Sequence, residues 1–312
     1  MKKNMINTTH IEGYLYQHTL EMKVSGPTAA NPNVQYITGN VEIATDEAMT
    51  NIVPVHFTYV TATTSKGKAN ATFTTLSNII EGNIPCAMKV GKDSAAKLRI
   101  DSAIGLNEFF SDRNGEEELV SVKRNEGGFI HTTNELAEDE NTRNTFKCDM
   151  VITKAIRFDA NEERSIPERV IVSGVIFDFR KAILPVEFTV TSAGGMNYFE
   201  NLGASAENPV FTCVWGRQIS ETIVKTITEE SAFGEASVRE VRSSRKSFNI
   251  TGTSKETYAW DCEDTILASE LIEAMTNRET YLATLKQRSD EYKASQAQVA
   301  AAPVPANKAF NF

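Results

Sequence analysis

The sequence has 312 residues, 41% of them hydrophobic, and a net charge of −9 at pH 7. This length is typical of about two domains, and the acidic balance excludes a protein that coats nucleic acid with its whole surface, while allowing a basic groove on an acidic body. The four cysteines form no CxxC pair, which indicates buried thiols instead of a metal site or disulfide framework. Without a secretory signal or a membrane-spanning apolar run, a soluble cytoplasmic protein is expected.

The first part of the chain predicts three strands, a helix and two more strands. Apolar and polar residues alternate over 10–24, 34–45 and 51–61, as in half-buried strands. A helix is expected from Ala71 to Ile80, with Asn70 as its N-cap. Further strands are expected over 97–109 and 119–133. These elements are assigned to a first domain, residues 1–134.

The same order of elements then recurs. Residues 135–144 are acidic and poor in apolar side chains, which predicts a linker. The segments with strand character that follow are 146–159, 169–181, 183–192, 209–228 and 237–253, with a short helix over 196–202 after the third of them. They are assigned to a second domain, residues 145–258.

The C-terminal part follows a different pattern. Leucines recur at helical spacing from Leu267 to Leu285, after an acidic start at Asp261 that suits the positive end of a helix dipole. A helix is therefore assigned to residues 259–293. Residues 294–312 are rich in Ala and Pro, cannot bury a core and are predicted to be flexible.

The two predicted domains share an internal repeat. IVPVHFTYVT at 52–61 returns as ILPVEFTVTS at 183–192, and YITGNVEIAT at 36–45 returns as IVSGVIFDFR at 171–180. In the first copy, alternation predicts a core face formed by Val53, Val55, Phe57 and Tyr59. The repeat also superimposes Phe129 on Phe248, which indicates that both phenylalanines are core residues.

These blocks carry a resemblance to a known family. The chain resembles the tandem-OB single-stranded DNA-binding proteins of the phage-encoded type, at the level of pattern and over roughly residues 8 to 255. The resemblance implies a mainly β fold: two five-stranded OB-like barrels, then a C-terminal helix and a flexible tail. It also implies that each barrel binds single-stranded DNA without base specificity. The binding surface would be the face of the second and third barrel strands, with the loops after the first and fourth strands.

Binding of this kind needs cations for phosphates and aromatic faces for bases. Both types occur near the expected groove of each barrel. In the first barrel the candidates are Tyr36, Lys66, Lys68, Phe109, Phe110, Arg113, Lys123 and Arg124. In the second they are Phe177, Phe179, Arg180, Lys181, Trp215, Arg217, Arg242, Arg245 and Lys246.

Several candidates have a second interpretation. Phe177 and Phe179 are either stacking platforms or core residues after a bulge. Trp215 aligns with Ile104, which favours burial. Lys66 and Lys68 are either a solvated loop or a phosphate contact. His56 aligns with Glu187, which favours an ordinary surface role.

The sequence contains no recognised catalytic or metal-binding pattern. Lys92 lacks the flanking residues of a phosphate loop, no GxSxG elbow occurs, and the histidines have no metal spacing. The acidic run Glu116 to Glu118 is typical of a solvated strand start. A protein without enzymatic activity, metal or cofactor is therefore expected.

The end of the tail resembles the partner-recruiting peptide of bacterial single-stranded DNA-binding proteins in its terminal rings, Phe310 and Phe312. It lacks the acidic residues next to them, and Lys308 has the opposite charge. Recruitment of replication or recombination proteins and an end without a partner both remain open. Two other functions also remain open: a structural β-barrel protein of a virion, and a peptide-binding recruitment module.

Overall fold

The computed structural model describes residues 5–113, 116–161, 166–229 and 237–301, with residues 113, 221–229, 237–245 and 296–301 described by their backbone alone. Its strands are β1 (Asn7–His18), β2 (Glu21–Val24), β3 (Gln35–Ala44), β4 (Ile52–Thr61), β5 (Lys97–Arg113), β6 (Glu116–Thr132), β7 (Asn144–Phe158), β8 (Arg169–Phe177), β9 (Ile183–Val190), β10 (Val210–Glu229) and β11 (Ser237–Thr253). Its helices are α1 (Ala71–Ile80), α2 (Ala87–Val90), α3 (Ala193–Asn201) and α4 (Ala268–Ala301), with 3-10 turns at Lys92–Ser94 and Glu140–Thr142.

The first five long strands close into an OB-type barrel. β1 pairs with β3, β3 with β4, β5 with β6 and β1 with β5, all antiparallel, while β4 and β6 pair in parallel. α1 lies between the third and fourth barrel strands, and the Asn70 side chain caps it by accepting the Thr72 N–H. We call this unit barrel 1.

The second half of the chain repeats this topology strand for strand. β7 pairs with β8 and β10, β8 with β9 and β10 with β11, all antiparallel, and β9 and β11 close the barrel in parallel. α3 occupies the position of α1. This unit is barrel 2, so the tandem OB-like architecture and the C-terminal helix expected from the sequence are confirmed.

Each barrel encloses its own apolar core. In barrel 1 the strand residues Val55 and Phe57 pack with Leu76 of α1, and in barrel 2 Phe146 and Phe188 pack with Phe199 of α3. β5 contributes to both halves: its Ile104 is buried in the core of barrel 2, and its Leu106 packs against that core.

The paired glycines of the repeat occupy equivalent positions where the first barrel strand crosses the second. A Cβ at Gly39 would lie 2.3 Å from the Thr19 carbonyl oxygen, and one at Gly174 would lie 2.1 Å from that of Val151. No side chain fits at either crossing, because real Cβ atoms essentially never approach so closely. The shared glycine is therefore a requirement of strand crossing in both barrels.

The two barrels are joined by main-chain hydrogen bonds. β1 pairs not only within barrel 1 but also with β7, from Asn7 opposite Cys148 to Ile11 opposite Asn144. The segment predicted as a linker lies against barrel 1: Ala137 donates its N–H to Glu12, and Arg143 binds Glu47 at 3.0 Å. The barrels thus share one continuous sheet.

Both long hairpins extend beyond their barrels. We call residues 106–113 and 116–124 of β5 and β6 arm 1, and residues 217–229 and 237–249 of β10 and β11 arm 2. At the base of arm 2, Gln218 accepts a hydrogen bond of 2.7 Å from Asn125 of β6, and Asn51 donates to the Gln218 carbonyl at 3.2 Å. Arm 2 is therefore anchored on barrel 1.

Some boundaries differ from expectation. The predicted first strand is divided into β1 and β2. α4 starts at Ala268, whose N–H is accepted by the Asp261 carboxylate at 2.9 Å, and continues to Ala301, into the stretch predicted as tail. Phe310 and Phe312 lie outside the described residues. No helix in the described ranges has the length and apolarity that a membrane crossing requires.

Candidate nucleic-acid interface

The outer face of β3 and β4 carries a pair of tyrosines. Tyr36 and Tyr59 contact each other with ring centroids 4.5 Å apart, and Tyr59 is 45% exposed. The register explains the exposure: Ile37 faces Val60 and Gly39 faces Phe57, so Thr58 and Tyr59 together oppose Thr38. This bulge turns Tyr59 outward. Its assignment to the core was therefore wrong, whereas Val53, Val55 and Phe57 are buried as predicted.

Lysines lie on both sides of this tyrosine pair in the chain. Lys23 of β2 is the register partner of Tyr36 and forms an ion pair of 2.9 Å with Glu21. That hydrogen bond raises the pKa of Lys23. Lys66 and Lys68 are exposed on the loop that follows β4. Barrel 1 therefore places the predicted Tyr36 next to Tyr59. Tyr59 lies on β4, the strand that leads into the loop with Lys66 and Lys68.

A polar cluster continues this face toward β6. His56 hydrogen-bonds Asn40 at 2.9 Å, and Glu126 accepts from Thr58 at 3.1 Å and from Arg124 at 2.8 Å. Burial lowers the pKa of His56, and the nearby Arg124 guanidinium lowers it further. Arg124, a predicted phosphate contact, is thus held by a carboxylate.

The corresponding face of barrel 2 is overlaid by arm 1. A cavity of about 550 Å³ separates Leu106, Leu119 and Lys123 of the arm from the β8–β9 surface around Gly174 and Pro185. Lys123 donates to the Glu187 carbonyl, and its ammonium lies 5.5 Å from the Phe188 ring centroid. Burial lowers its pKa to about 8. Lys123, predicted to contact phosphate, is therefore partly buried and donates to barrel 2 in this structure.

The structure also separates the two phenylalanines that the sequence left open. Phe177 is completely buried and packs edge-on against Phe211, so its interpretation as a stacking platform was wrong. Phe179 is 88% exposed, and the Arg180 guanidinium lies 5.0 Å from its ring centroid. Asp178 shapes this turn by accepting the Arg180 N–H at 2.8 Å.

The turn forms one wall of a second cavity, of about 540 Å³. Arg180 and Lys181 lie on one side, Glu270 and Tyr281 of α4 on the other. The cavity contains both cationic and acidic side chains. The basic turn of barrel 2 therefore faces α4 across this cavity.

α4 is held on arm 1 by charged contacts. Lys286 and Lys293 bind Glu117 at 2.6 and 2.8 Å, and these hydrogen bonds lower the pKa of Glu117 to about 2. The Lys286 ammonium lies 5.8 Å from the Phe110 ring centroid. Phe110 is therefore half-buried under a helix cation, whereas Phe109 remains exposed. Glu117 binds lysines and is not a free solvated acid.

The remaining candidates lie on β10, β11 and the arm tips. Trp215 is 39% exposed, although its counterpart Ile104 is buried, and Arg217 hydrogen-bonds Asn144 at 3.4 Å. Lys246 is exposed. The side chains of Arg113, Arg242 and Arg245 lie outside the described part of the structure.

One exposed ring was missed by sequence reasoning. Phe129 is 78% exposed, so its assignment to the core was wrong, whereas Phe248 packs against the core of barrel 2 as predicted. Asp101 faces Phe129 and Ala103 faces Glu126, which leaves Gly127 and Gly128 as a bulge. Adjacent glycines inside a predicted strand were the available signal.

The YorF family matches residues 6–288, most of the 312 residues. The chain belongs to the YorF family. Among solved structures, this YorF-family chain is similar to a deletion mutant of the single-stranded DNA binding protein from Thermus aquaticus, with 10% sequence identity and a TM-score of 0.43 over 83% of this chain and 98% of that one. No curated protein matches it.

Proposed function

We propose that this protein binds single-stranded DNA without base-specific readout. The observation that carries the proposal is the Tyr36–Tyr59 pair on the outer face of the second and third strands of an OB-type barrel. That face is the usual ligand surface of the fold. Its two rings are tilted by 35° to each other and partly exposed, so a base can stack on Tyr59 while Tyr36 packs against the other side of that ring.

The energetics of the site suit an unspecific ligand. Stacking on an aromatic side chain stabilises a bound base by about 1–3 kcal/mol and accepts any base, because every base has a π-face. Lys66 and Lys68 are exposed on the next loop and are available for phosphates. The Tyr36 and Tyr59 rings and the Lys66 and Lys68 ammonium groups can contact any base and any phosphate, so they do not discriminate sequence.

The biological setting is part of the proposal. A protein of this kind sequesters single strands during replication or recombination of a phage or mobile element, in the cytoplasm of the host cell. It acts by binding and not by catalysis. The terminal rings Phe310 and Phe312 are proposed to contact replication or recombination proteins, as in the family that the tail resembles.

A titration tests the binding proposal. Fluorescence anisotropy of a labelled oligothymidine is measured against protein at two salt concentrations. Affinity is expected to fall as salt rises, with a log–log slope of about −0.7 for each phosphate neutralised on a single strand. The Lys66→Ala/Lys68→Ala variant is expected to reduce that slope by about 1.4. Lys89→Ala, at an exposed lysine of α2, serves as the matched control.

The tyrosines are tested separately. Tyr59→Ala is expected to weaken oligothymidine binding by about 5- to 100-fold, the equivalent of one lost stacking contact. Tyr292→Ala, at an exposed tyrosine of α4, is expected to bind like the parent protein. Absence of oligothymidine binding at low salt contradicts the proposal and leaves a virion structural role or peptide binding as the alternatives.

A further inference from the structure

The pairing of β1 with β7 creates a surface that neither barrel has alone. Across it, Asp101 of β5 faces His10 of β1, His10 faces Thr145 of β7, and Thr145 faces Arg217 of β10. Directly paired residues of antiparallel strands point to the same side of a sheet. The strands β6, β5, β1, β7, β10 and β11 therefore present one continuous outer face, which we call the bridging face.

Two exposed rings stand on this face, on opposite barrels. Phe129 of β6 is the register partner of Asp101, and Trp215 of β10 is the partner of Lys147 of β7. Trp215 contacts Gly252, where an added Cβ would be 2.5 Å from the indole nitrogen. The rings are four strand intervals apart, about 19 Å at the usual strand spacing.

The charges of the bridging face favour an anion. Lys147 is exposed, and neither it nor Arg217 is within 4 Å of a carboxylate among the described side chains. Of the carboxylates on this face, Asp101 is bonded to His10 at 2.7 Å, Glu126 to Arg124 at 2.8 Å and Glu12 to Arg99 at 2.7 Å. Lys147 and Arg217 thus form no ion pair among the side chains that the structure describes.

The face is also concave. A depression of about 520 Å³ is lined by Thr8 and His10 of β1, Phe129 of β6 and Lys147 of β7, among others. It crosses the junction of the two barrels. Its exposed ring, polar side chains and ammonium group suit a nucleotide, which has an aromatic base and an anionic phosphate.

We propose that the bridging face is a second binding surface for single-stranded nucleic acid, with Phe129 and Trp215 stacking bases and Lys147 and Arg217 contacting phosphates. This inference rests on the proposed function and locates a tract outside the β3–β4 face. At about 3.4 Å per stacked nucleotide, the distance between the rings corresponds to about six nucleotides. One strand would cross both barrels here without entering the region that arm 1 covers.

Tryptophan fluorescence gives a direct test, because the chain has two tryptophans and only Trp215 lies on the face. Trp260 packs against the apolar cluster that contains Phe177 and Phe211. In Trp260→Phe, oligothymidine is expected to quench the remaining Trp215 emission. In Trp215→Phe, where Trp260 remains, quenching is expected to be lost. Binding of labelled oligothymidine without quenching of Trp215 overturns the inference while leaving the proposed function intact.

Affinity variants complete the test. Phe129→Ala is expected to weaken binding of a 30-nucleotide oligothymidine by about 5- to 100-fold, and Lys147→Ala/Arg217→Ala to reduce the salt slope by about 1.4. Lys89→Ala is the control. If Tyr59→Ala weakens binding and all three bridging-face substitutions leave affinity and slope unchanged, the bridging face is not a binding surface. If the parent protein binds no oligothymidine, both proposals fail.

Discussion

Arg278 of α4 binds Glu108 of arm 1 through both terminal guanidinium nitrogens, at 2.5 and 3.3 Å. The Glu108 side chain is only 3% exposed, so the Arg278 guanidinium replaces most of its contact with water. Because arm 1 belongs to barrel 1 and lies over barrel 2, the ion pair joins three parts of the chain. It holds the helix on the hairpin that lies over barrel 2.

Removal of the guanidinium is expected to be costly. Arg278→Met leaves a buried carboxylate without its partner, which typically destabilises a protein by about 3–5 kcal/mol. Urea unfolding measures the loss, and hydrogen exchange of α4 locates it. Arg288→Met, at an exposed arginine of the same helix, is the control and is expected to change stability by less than about 0.5 kcal/mol. Equal effects of the two substitutions would refute the role assigned to the pair.

The buried amide contact between the barrels gives a second prediction. Asn125 donates to Gln218 at 2.7 Å and to the Pro54 carbonyl at 3.0 Å. Gln218→Ala removes one acceptor from a buried donor, so unfolding free energy is expected to fall by about 1–3 kcal/mol. Gln287→Ala, on the exposed surface of α4, is the comparison. A Gln218→Ala protein as stable as the parent in urea would show that this contact does not hold arm 2.

Gly174, at the strand crossing of barrel 2, gives a third prediction. An alanine Cβ at Gly174 would meet the Val151 carbonyl oxygen at 2.1 Å, so Gly174→Ala is expected to destabilise by more than about 3 kcal/mol or to prevent folding. Gly194 in the first turn of α3 has nothing within 4 Å of its added Cβ. Gly194→Ala is therefore expected to stabilise by up to about 1 kcal/mol. The melting temperatures of both variants test this prediction. Similar values would contradict the claim that the strand crossing leaves no room for a side chain at Gly174.

Lys123 gives a prediction on pH. Burial lowers its pKa to about 8 in the folded protein, below the value of about 10.4 of an unfolded chain. Between these values the unfolded state binds more protons, so the contribution of Lys123 to stability increases as pH rises through that window. The total change is at most about 3 kcal/mol.

The test compares Lys123→Met with the parent protein. The variant lacks the titrating group, so its melting temperature relative to the parent is expected to be higher at pH 7 than at pH 9.5. Lys89→Met, at an exposed site, is expected to show the same relative melting temperature at both pH values. A pH-independent difference for Lys123→Met would mean that its ammonium remains hydrated.

Much of the fold was predictable from alternation and repetition. The α1 boundaries and its Asn70 cap were predicted to the residue, and β11 was predicted at the observed Ser237–Thr253. These features are local: an Asx cap, a period of two and a glycine in register each act within a few residues. The barrel topology came from the resemblance to tandem-OB proteins, which the repeated order of elements supported.

The candidate site was less predictable, because faces depend on register. In the sequence, the alternation of apolar and polar residues predicts that Tyr59 and Phe129 are buried. A bulge next to each residue turns its ring outward instead. The burial of Lys123 could not be predicted either, since it arises from contact between one barrel's hairpin and the other barrel. Neither effect is encoded in spacing along one strand.

The crossing of arm 1 onto barrel 2 has a consequence for how the protein is made. During synthesis barrel 1 leaves the ribosome with all of its own strands, while β8 and β9, which receive the arm, have yet to be translated. Until then the apolar and charged side chains of the arm face water or a chaperone. A nascent chain that stalls in this interval presents a finished barrel with an unpaired hairpin, which a second copy in the same state can capture.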